Sequence, residues 1–254
     1  MFAIGSIFHE ILVRPLFNLL VGIYDVLPFD DLGVAIVLLT VLTRLVFFPL
    51  SHKALISQRR LSDLQPLVKE LQQKHKGQRA EQSRAVMALY KEHRINPFAG
   101  IVPMLIQLPI LFALYRVFLQ DLNADSLREL YSFVPAPDII NTSFLGLIDM
   151  TSPSPILAIL AGFFMFLQSK ITFSQRAPAS SRAGGDGKPD FQRMMAKQMM
   201  YVMPFFIIVI SWNFPAGLPL YWATTTLFSF LQQYSINRKT KPANAGASRS
   251  YEPS

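Results

Sequence analysis

Residues 33–50 read GVAIVLLTVLTRLVFFPL, an apolar run with a single charged residue, Arg44. A helix rises about 1.5 Å per residue, so a run of this length crosses most of the roughly 30 Å hydrocarbon core of a bilayer. Arg44 lies about six residues, roughly 9 Å, from the end of the run. A charge at mid-membrane costs roughly 2.5 to 3.5 kcal/mol, so the side chain should face protein or water. The alternative is that its long stem snorkels to the headgroups.

The composition agrees with a membrane protein. Of the 254 residues, 51% are hydrophobic, and the mean hydropathy of +0.32 is too high for an ordinary soluble domain. The absence of cysteine excludes disulfides and thiolate metal sites. We find no pattern of a cleavable signal peptide or of an organellar transit peptide at the start, which favours a bacterial cytoplasmic membrane over an organelle.

Four further apolar runs bring the predicted number of spans to five. Two of them are as long as a typical spanning helix, and two are shorter and flanked by prolines. The short runs are separated by three residues only, which predicts a tight transmembrane hairpin. The four runs are Pro97–Leu119, Pro155–Phe173, Met199–Phe214 and Leu218–Tyr234.

The distribution of charge predicts the orientation of these spans. The loop from Ser51 to Asn96 contains ten Lys and Arg against four Asp and Glu, a net charge of +6, and is therefore cytoplasmic. The loop from Gln120 to Ser154 has one basic and five acidic residues, a net charge of −4, and belongs outside. Basic residues also place the loop before the fourth span and the C-terminal tail inside. Five spans with the N-terminus outside and the C-terminus in the cytoplasm satisfy every loop.

These patterns predict an all-α integral membrane protein and divide the chain into ten segments. Apolar residues at helical spacing before the first span predict an amphipathic helix on the outer membrane surface. The basic loop predicts a helical hairpin with a turn at Lys76–Gln78, or alternatively a solvated connector whose charge only fixes topology. The segments are an extracytoplasmic amphipathic helix (1–31), the first span (32–51), a cytoplasmic helical hairpin (52–95), the second span (96–120), an extracytoplasmic loop (121–153), the third span (154–175), a cytoplasmic loop (176–197), the fourth span (198–214), the fifth span (217–235) and a disordered basic cytoplasmic tail (236–254).

Several spans contain polar side chains, for which lipid offers no hydrogen-bond partner. Together with Arg44 they favour a shared wet cavity over simple snorkelling. For any one of them, hydrogen bonding between helices without a functional role is the alternative. The residues are Gln107 in the second span, Gln168 in the third, and Tyr221, Trp222 and Thr224 to Thr226 in the fifth.

Three blocks of residues, in this order, resemble the YidC family of membrane protein insertases, which has mitochondrial and chloroplast members. The resemblance runs from about Ile4 to Arg238. The blocks are Thr43, Arg44 and Leu45 leading to Pro49 and Leu50; Asn96 and Pro97 opening a span with Pro103, Gln107, Leu108, Pro109 and Ile110; and FPAGLPLYW at 214–222 followed by Gln232 and Gln233.

The resemblance implies a five-helix core around a hydrophilic groove that is open to the cytoplasm and closed on the outer side. It implies that Arg44 is the groove arginine and that Gln168 and Trp222 line the same cavity, with Gln107 and Tyr221 as neighbours. Apolar faces of the third and fifth spans would form the path along which a client helix leaves. The large periplasmic domain of Gram-negative members and the lipoprotein cysteine of Gram-positive ones have no counterpart here.

The implied function is insertion and folding of integral membrane proteins, without an enzymatic step, a cofactor or a metal. The chain contains no phosphate-binding P-loop, so partitioning of the client would drive insertion. Implied partners are nascent membrane proteins and membrane lipids, and the basic hairpin and tail add the ribosome, the signal recognition machinery and the Sec translocon as candidates. A channel or carrier for small solutes or ions is the alternative function. An intramembrane hydrolase is disfavoured because all four histidines lie outside the predicted spans.

Overall fold

The computed structural model describes residues 2–119, 124–137, 139–176 and 191–239, and it is mostly helical. A short antiparallel pair of strands lies between α8 and α9 and pairs Ser143 with Asp149. The helices are α1 (Phe2–Phe8), a π-helical turn (His9–Val13), α2 (Arg14–Val26), α3 (Leu32–Val46), α4 (Phe48–Asp63), α5 (Gln65–Lys74), α6 (Arg79–Glu92), a 3₁₀ turn (Pro97–Gly100), α7 (Val102–Leu119), α8 (Ala124–Leu127), α9 (Pro155–Arg176), α10 (Phe191–Ser211) and α11 (Gly217–Lys239), and the strands are β1 (Ser143–Phe144) and β2 (Ile148–Asp149).

Three helical segments in the described ranges are long and apolar enough to cross a membrane, and the number rises to four if α3 and α4 count as one bent span. The three are Gly5–Val26, Pro97–Leu119 and Pro155–Phe173. The apolar part of α10, Lys197–Ser211, is shorter. The chain is therefore compatible with an all-α membrane protein, and its arrangement as five spans remains a prediction.

The first predicted span is broken at Phe47. The sequence analysis treated residues 33–50 as one helix, whereas α3 ends at Val46 and α4 continues at an angle of 64°. Pro49 lies in the first turn of α4. Proline is accommodated in a first turn, but within a continuous helix it would remove a hydrogen bond and clash with the carbonyl four residues earlier. Arg44 therefore lies in the last turn of α3, immediately before the bend.

The N-terminal helix packs one apolar face against the rest of the protein. Val13, Phe17 and Tyr24 are buried in the core formed with α3 and α7. The same helix contacts the segment after α8, where Arg14 Nε donates to the carbonyl oxygen of Glu129 over 3.0 Å. The apolar stripe that the sequence indicated is thus used for packing, although the helix is long and apolar enough to be a candidate span itself.

His9 lies in this candidate span, in a segment for which the sequence predicts a surface helix. Its Nε2 is 3.3 Å from Oε2 of Glu129. The side chain therefore contacts the segment after α8.

The tight turn before α11 is hydrogen-bonded to the loop between α8 and α9. Ala216 N donates to the carbonyl oxygen of Ser152 over 2.9 Å, and Gly217 N donates to that of Met150 over 3.1 Å. The helices on either side, α10 and α11, both pack along α9. Within the ranges that the structure describes, these two helices make little contact with each other, so the predicted tight hairpin is held together through α9.

Close packing of α9 on α10 depends on a glycine. A Cβ added at Gly162 would clash with the side chain of Ile208. Small residues that let helix backbones approach closely are typical of helix contacts in membranes, where association relies on van der Waals packing.

Burial is concentrated at the end of the bundle that carries the loop between α8 and α9. The buried residues of α3 end at Thr40, and the residues from Leu42 to Pro49 are half-buried or exposed. In α7 the order is reversed: Val102 to Leu108 are half-buried or exposed, whereas Leu114 and Val117 are buried. The loop end is thus closed by packed side chains, and the opposite end is more open.

Helices α5 and α6 pack against each other beyond that open end. They are joined by a turn that contains Gly77 at a φ of +91°, a conformation that glycine adopts without strain. The side chain of Gln82 donates to the carbonyl oxygen of Gln72 over 2.8 Å across the pair. The basic loop from Ser51 to Asn96 is therefore occupied by most of α4 and by the packed pair α5 and α6.

Candidate functional site: a polar cleft between α3, α7 and α11

Arg44 bridges two other helices at the boundary between the packed and the open end. Its Nη2 donates to Oε1 of Gln107 in α7 over 3.0 Å, and its Nε donates to Oγ1 of Thr225 in α11 over 3.4 Å. The second contact is long and weak. The guanidinium is held by neutral groups from two neighbouring helices, which indicates that it points into the bundle and not towards lipid.

Gln107 connects this pair to a buried tyrosine. Its Nε2 donates to the hydroxyl oxygen of Tyr221, which is 2% exposed. Tyr221 lies one helical turn before Thr225, so both belong to the same face of α11. The result is a hydrogen-bonded network across three helices, formed by Thr225, Arg44, Gln107 and Tyr221.

Arg44 has donor capacity that this network does not use. A guanidinium carries five N–H groups, of which two are engaged here. No carboxylate in the described part of the chain forms an ion pair with it. A partly buried cation without an anion is costly and attracts a negative charge or ordered water. The site can therefore receive an acidic group from outside.

Three members of this network, Arg44, Gln107 and Tyr221, form one wall of a cleft of about 400 Å³, including the part that opens to solvent. Most of the remaining lining is apolar. A polar patch in an apolar cleft suits a chain segment that is itself part polar and part apolar. The lining residues are Thr43, Arg44, Phe47, Leu50, Ser51, Pro103, Ile106, Gln107, Ile110 and Tyr221.

A second set of polar contacts follows along α11, beyond the cleft. Nε2 of Gln232 donates to Oγ of Ser51 in α4 over 3.1 Å. Thr172 in α9 donates to Oε1 of Gln233 over 3.2 Å. Both glutamines are buried although they lie far along the helix from Tyr221. Polar side chains thus continue from the cleft towards the end of the helix.

The predicted site residues fall into two groups. Arg44, Gln107 and Tyr221 are brought together as described, whereas Gln168 and Trp222 do not line this cleft. Gln168 is half-buried on α9, and Trp222 packs partly buried against the core. Their part in client binding remains a prediction.

Ser51 is not among the residues that the sequence singles out, and Thr225 is predicted only as one of the polar residues of the fifth span. Thr225 lies four residues after Tyr221 and so projects from the same side of α11, which the helical period could have indicated. For Ser51 no such signal exists, because its contact with Gln232 depends on the bend at Phe47.

The described ranges contain no group of three or more His, Asp or Glu side chains that could hold a metal ion.

The model of the family called 60Kd inner membrane protein matches residues 23–244, which include every helix that forms the cleft. The chain belongs to this family. Members of the 60Kd inner membrane protein family among curated proteins include several named "Membrane protein insertase YidC". The protein of that name from Syntrophobacter fumaroxidans is 35% identical over 208 residues, which are 81% of this chain and 34% of the relative.

Two further relatives carry the same name. That from Nitratidesulfovibrio vulgaris strain DP4 is 36% identical over 230 residues, covering 90% of this chain and 39% of the relative. That from Geobacter sulfurreducens is 33% identical over 215 residues, covering 84% and 35%. The chain thus spans between a third and two fifths of the length of these relatives. The family and the apolar helices identify a multi-pass protein of the bacterial inner membrane.

Proposed function

We propose that this chain is a membrane protein insertase and chaperone, which takes client segments into the polar cleft and releases them sideways into lipid without nucleotide hydrolysis. The observation that carries the proposal is Arg44, a cation held by neutral partners at the closed end of an open cleft. The names of the relatives in the 60Kd inner membrane protein family support the same function.

The energetics of insertion explain the need for such a cleft. A client must move a short hydrophilic segment across the bilayer, at a cost of roughly 2.5 to 3.5 kcal/mol for each charged group. About 20 apolar residues of its spanning helix offer a larger gain once they reach lipid. A wet cleft that reaches partway across shortens the dry path. In our proposal Arg44 attracts acidic groups of the hydrophilic segment, while the apolar helix leaves along α9 and α11.

The proposed membrane arrangement has five spans (α3, α7, α9, α10 and α11), the N-terminus outside and the C-terminus in the cytoplasm. The N-terminal helix lies along the outer surface. Support comes from its contacts with the loop after α8: His9 and Arg14 approach Glu129, and the hydroxyl of Tyr24 accepts from Asn141 N over 2.7 Å. These contacts extend over 15 residues, or about 22 Å of helix. A helix that follows the outer loop for this distance remains at the depth of the loop.

The packed helices α5 and α6 would then face the cytoplasm, together with the basic end of α11. We propose nascent membrane proteins as clients. The net positive charge of the segment from Ser51 to Asn96 makes it a candidate contact for the ribosome, the signal recognition machinery or the Sec translocon.

The test uses purified protein in liposomes and a small single-span client with an acidic tail. Protein-containing liposomes should protect the tail from protease without ATP, and empty liposomes should not. In the same liposomes, photo-crosslinkers at Thr43 and Gln107, which line the cleft, should label the client. Crosslinkers at Gln168 and Trp222 test the wider predicted groove. Solute flux without client protection would instead favour a channel or carrier.

A matched control uses Arg116, an exposed arginine near the other end of α7. Arg116→Ala removes the same charge from the same bundle but does not touch the cleft. It should insert the client at the unmodified rate. An equal loss in Arg116→Ala and Arg44→Ala would contradict the assignment of the cleft.

A further inference from the structure

A second cavity lies between α4 and the C-terminal half of α11, separate from the cleft around Arg44. Its volume is about 1230 Å³, including the part that opens to solvent. None of its lining residues belongs to the lining of the first cleft. They are Phe48, His52, Ile56, Arg59, Arg60, Asp63, Gln232, Ser235 and Ile236.

One end of this cavity is basic and the other apolar. Its lining contains two arginines, Arg59 and Arg60, and one carboxylate, that of Asp63. Because α4 turns once every 3.6 residues, these charged groups lie about three to four turns from the apolar end at Phe48. The lining thus separates charge from apolar surface along the length of α4.

The apolar end is held in place by aromatic packing. The ring of His52 stacks on that of Phe48 with the centroids 5.7 Å apart and the planes at 15°. Phe48 in turn meets the ring of Phe228 edge-on at 6.4 Å. This end of the cavity is therefore preformed, which lowers the entropic cost of filling it.

The position of the cavity matches the edge of the membrane. Helix α4 begins directly after the bend at Phe47, where the apolar part of α3 ends. On the other wall, α11 continues past the cavity to Arg238 and Lys239. In the membrane arrangement proposed above, on which this inference rests, the basic end therefore lies at the level of the cytoplasmic headgroups.

We infer that this cavity binds an anionic phospholipid of the cytoplasmic leaflet, with the phosphate at Arg59 and Arg60 and an acyl chain against Phe48 and Ile56. Guanidinium groups match the geometry of phosphate and bind it through paired donors. Basic pockets between helices on the cytoplasmic side are typical sites for anionic headgroups. A lipid there would join the base of α4 to α11 and so support the helices that form the cleft.

The experiment measures retained lipid by native mass spectrometry of the full chain in detergent, titrated with phosphatidylglycerol or phosphatidylcholine of equal chain length. We expect one phosphatidylglycerol to bind at least tenfold more tightly than phosphatidylcholine. The double variant Arg59→Gln with Arg60→Gln should lower the affinity for phosphatidylglycerol by about 25-fold, since each basic group near a headgroup contributes about fivefold to the affinity. Equal retention of the two lipids would overturn the inference.

A matched control removes two arginines from α6, Arg79→Gln with Arg84→Gln, which do not line the cavity. This control lowers the net charge by as much as the Arg59→Gln, Arg60→Gln variant does and should leave phosphatidylglycerol binding unchanged. If both double variants lose affinity alike, general attraction of a basic protein explains the binding and the site is refuted. A photoactivatable phosphatidylglycerol should also label residues 48–60, and labelling elsewhere only would refute it too.

Asp63→Asn is expected to tighten phosphatidylglycerol binding, an effect that a folding defect would not produce. Removal of the only carboxylate that lines the cavity in the described ranges should tighten phosphatidylglycerol binding by about fivefold. Unchanged or weaker binding would contradict the placement of the phosphate. Glycerol phosphate, which lacks acyl chains, should not compete at tenfold excess, and if it does, the site is one for soluble phosphate. These measurements contain no client, so a negative result would contradict the lipid site without contradicting the proposed insertase function.

Discussion

Substitution of Arg44 distinguishes an electrostatic role from a geometric one. Two charges 4 Å apart attract by about 1 kcal/mol in water and about 4 kcal/mol at the effective dielectric near a protein surface. The cleft is partly open and Arg44 is half-buried, so an intermediate value of about 2 kcal/mol is appropriate. Arg44→Ala should therefore slow the insertion of a client with one acidic tail residue by about 30-fold.

Arg44→Lys retains the positive charge and should insert the same client within about threefold of the unmodified rate. Lysine cannot bridge Gln107 and Thr225 with a planar fork, but the Thr225 contact is long and both partners are neutral. The assay is the initial rate at which the client tail becomes protected from protease in liposomes. A second client, in which the acidic tail residue is replaced by asparagine, should be nearly insensitive to Arg44→Ala.

Two results would refute this reasoning. If Arg44→Lys is as slow as Arg44→Ala, the fork geometry matters and charge alone does not explain the role. If the neutral client loses as much rate as the acidic one, Arg44 acts through the structure of the cleft and not by attracting the client. Thermal unfolding of each variant in detergent shows whether the fold itself has changed.

Three further predictions concern stability. Tyr221→Phe leaves the amide of Gln107 without its acceptor and should destabilise the protein by about 1 kcal/mol when unfolding is measured by calorimetry. In a chain that already carries Gln107→Leu, the same substitution should cost much less, and an equal cost in both backgrounds would contradict the contact. Gly162→Ala should cost about 1 to 3 kcal/mol through its clash with Ile208, and Ile208→Ala in the same chain should recover part of the loss; additive losses would contradict the contact. Partial burial would raise the pKa of Asp149, but hydrogen bonds, led by that from the backbone of Thr151, outweigh it and lower the pKa from 3.8 to about 2. The carboxylate therefore stabilises the fold above about pH 4 and loses that contribution as the pH falls through 2. Because Asp149 is exposed, Asp149→Asn should cost less than about 1 kcal/mol at pH 7 and only a small part of that at pH 2, where the carboxylate is half protonated. A pH-independent cost in denaturant titrations would refute this prediction.

The helical, membrane-spanning class of this protein followed from residue chemistry alone. Runs of apolar residues at Pro97–Leu119 and Pro155–Phe173 meet the length that a bilayer requires, and both are candidate spans in the structure. The resemblance in the blocks around Arg44 and at 214–222 placed the chain in its family, which the match over residues 23–244 confirms. Such signals are local, because they depend only on neighbours in the chain.

The bend at Phe47 is a feature that the hydropathy of the sequence does not predict. The apolar run continues through Phe48 to Leu50, so hydropathy predicts one straight span. Pro49 marks a possible break, but prolines also occur inside α7 and α10 without ending those helices. Whether a proline begins a new helix depends on what the surrounding helices can pack against, which a single segment does not contain.

The polar cleft combines both kinds of information. The presence of Arg44, Gln107 and Tyr221 in apolar runs, and hence the need for a shared polar environment, was determined by the sequence, because lipid provides no hydrogen-bond partners. The choice of partners was decided by tertiary structure: Arg44 and Gln107 are 63 residues apart, Gln107 and Tyr221 are 114 apart, and Gln168 lies outside the cleft. The physical reason is that hydrogen bonds act over about 3 Å, so they depend on how the helices are packed and rotated against one another, which the helical period of each segment does not specify.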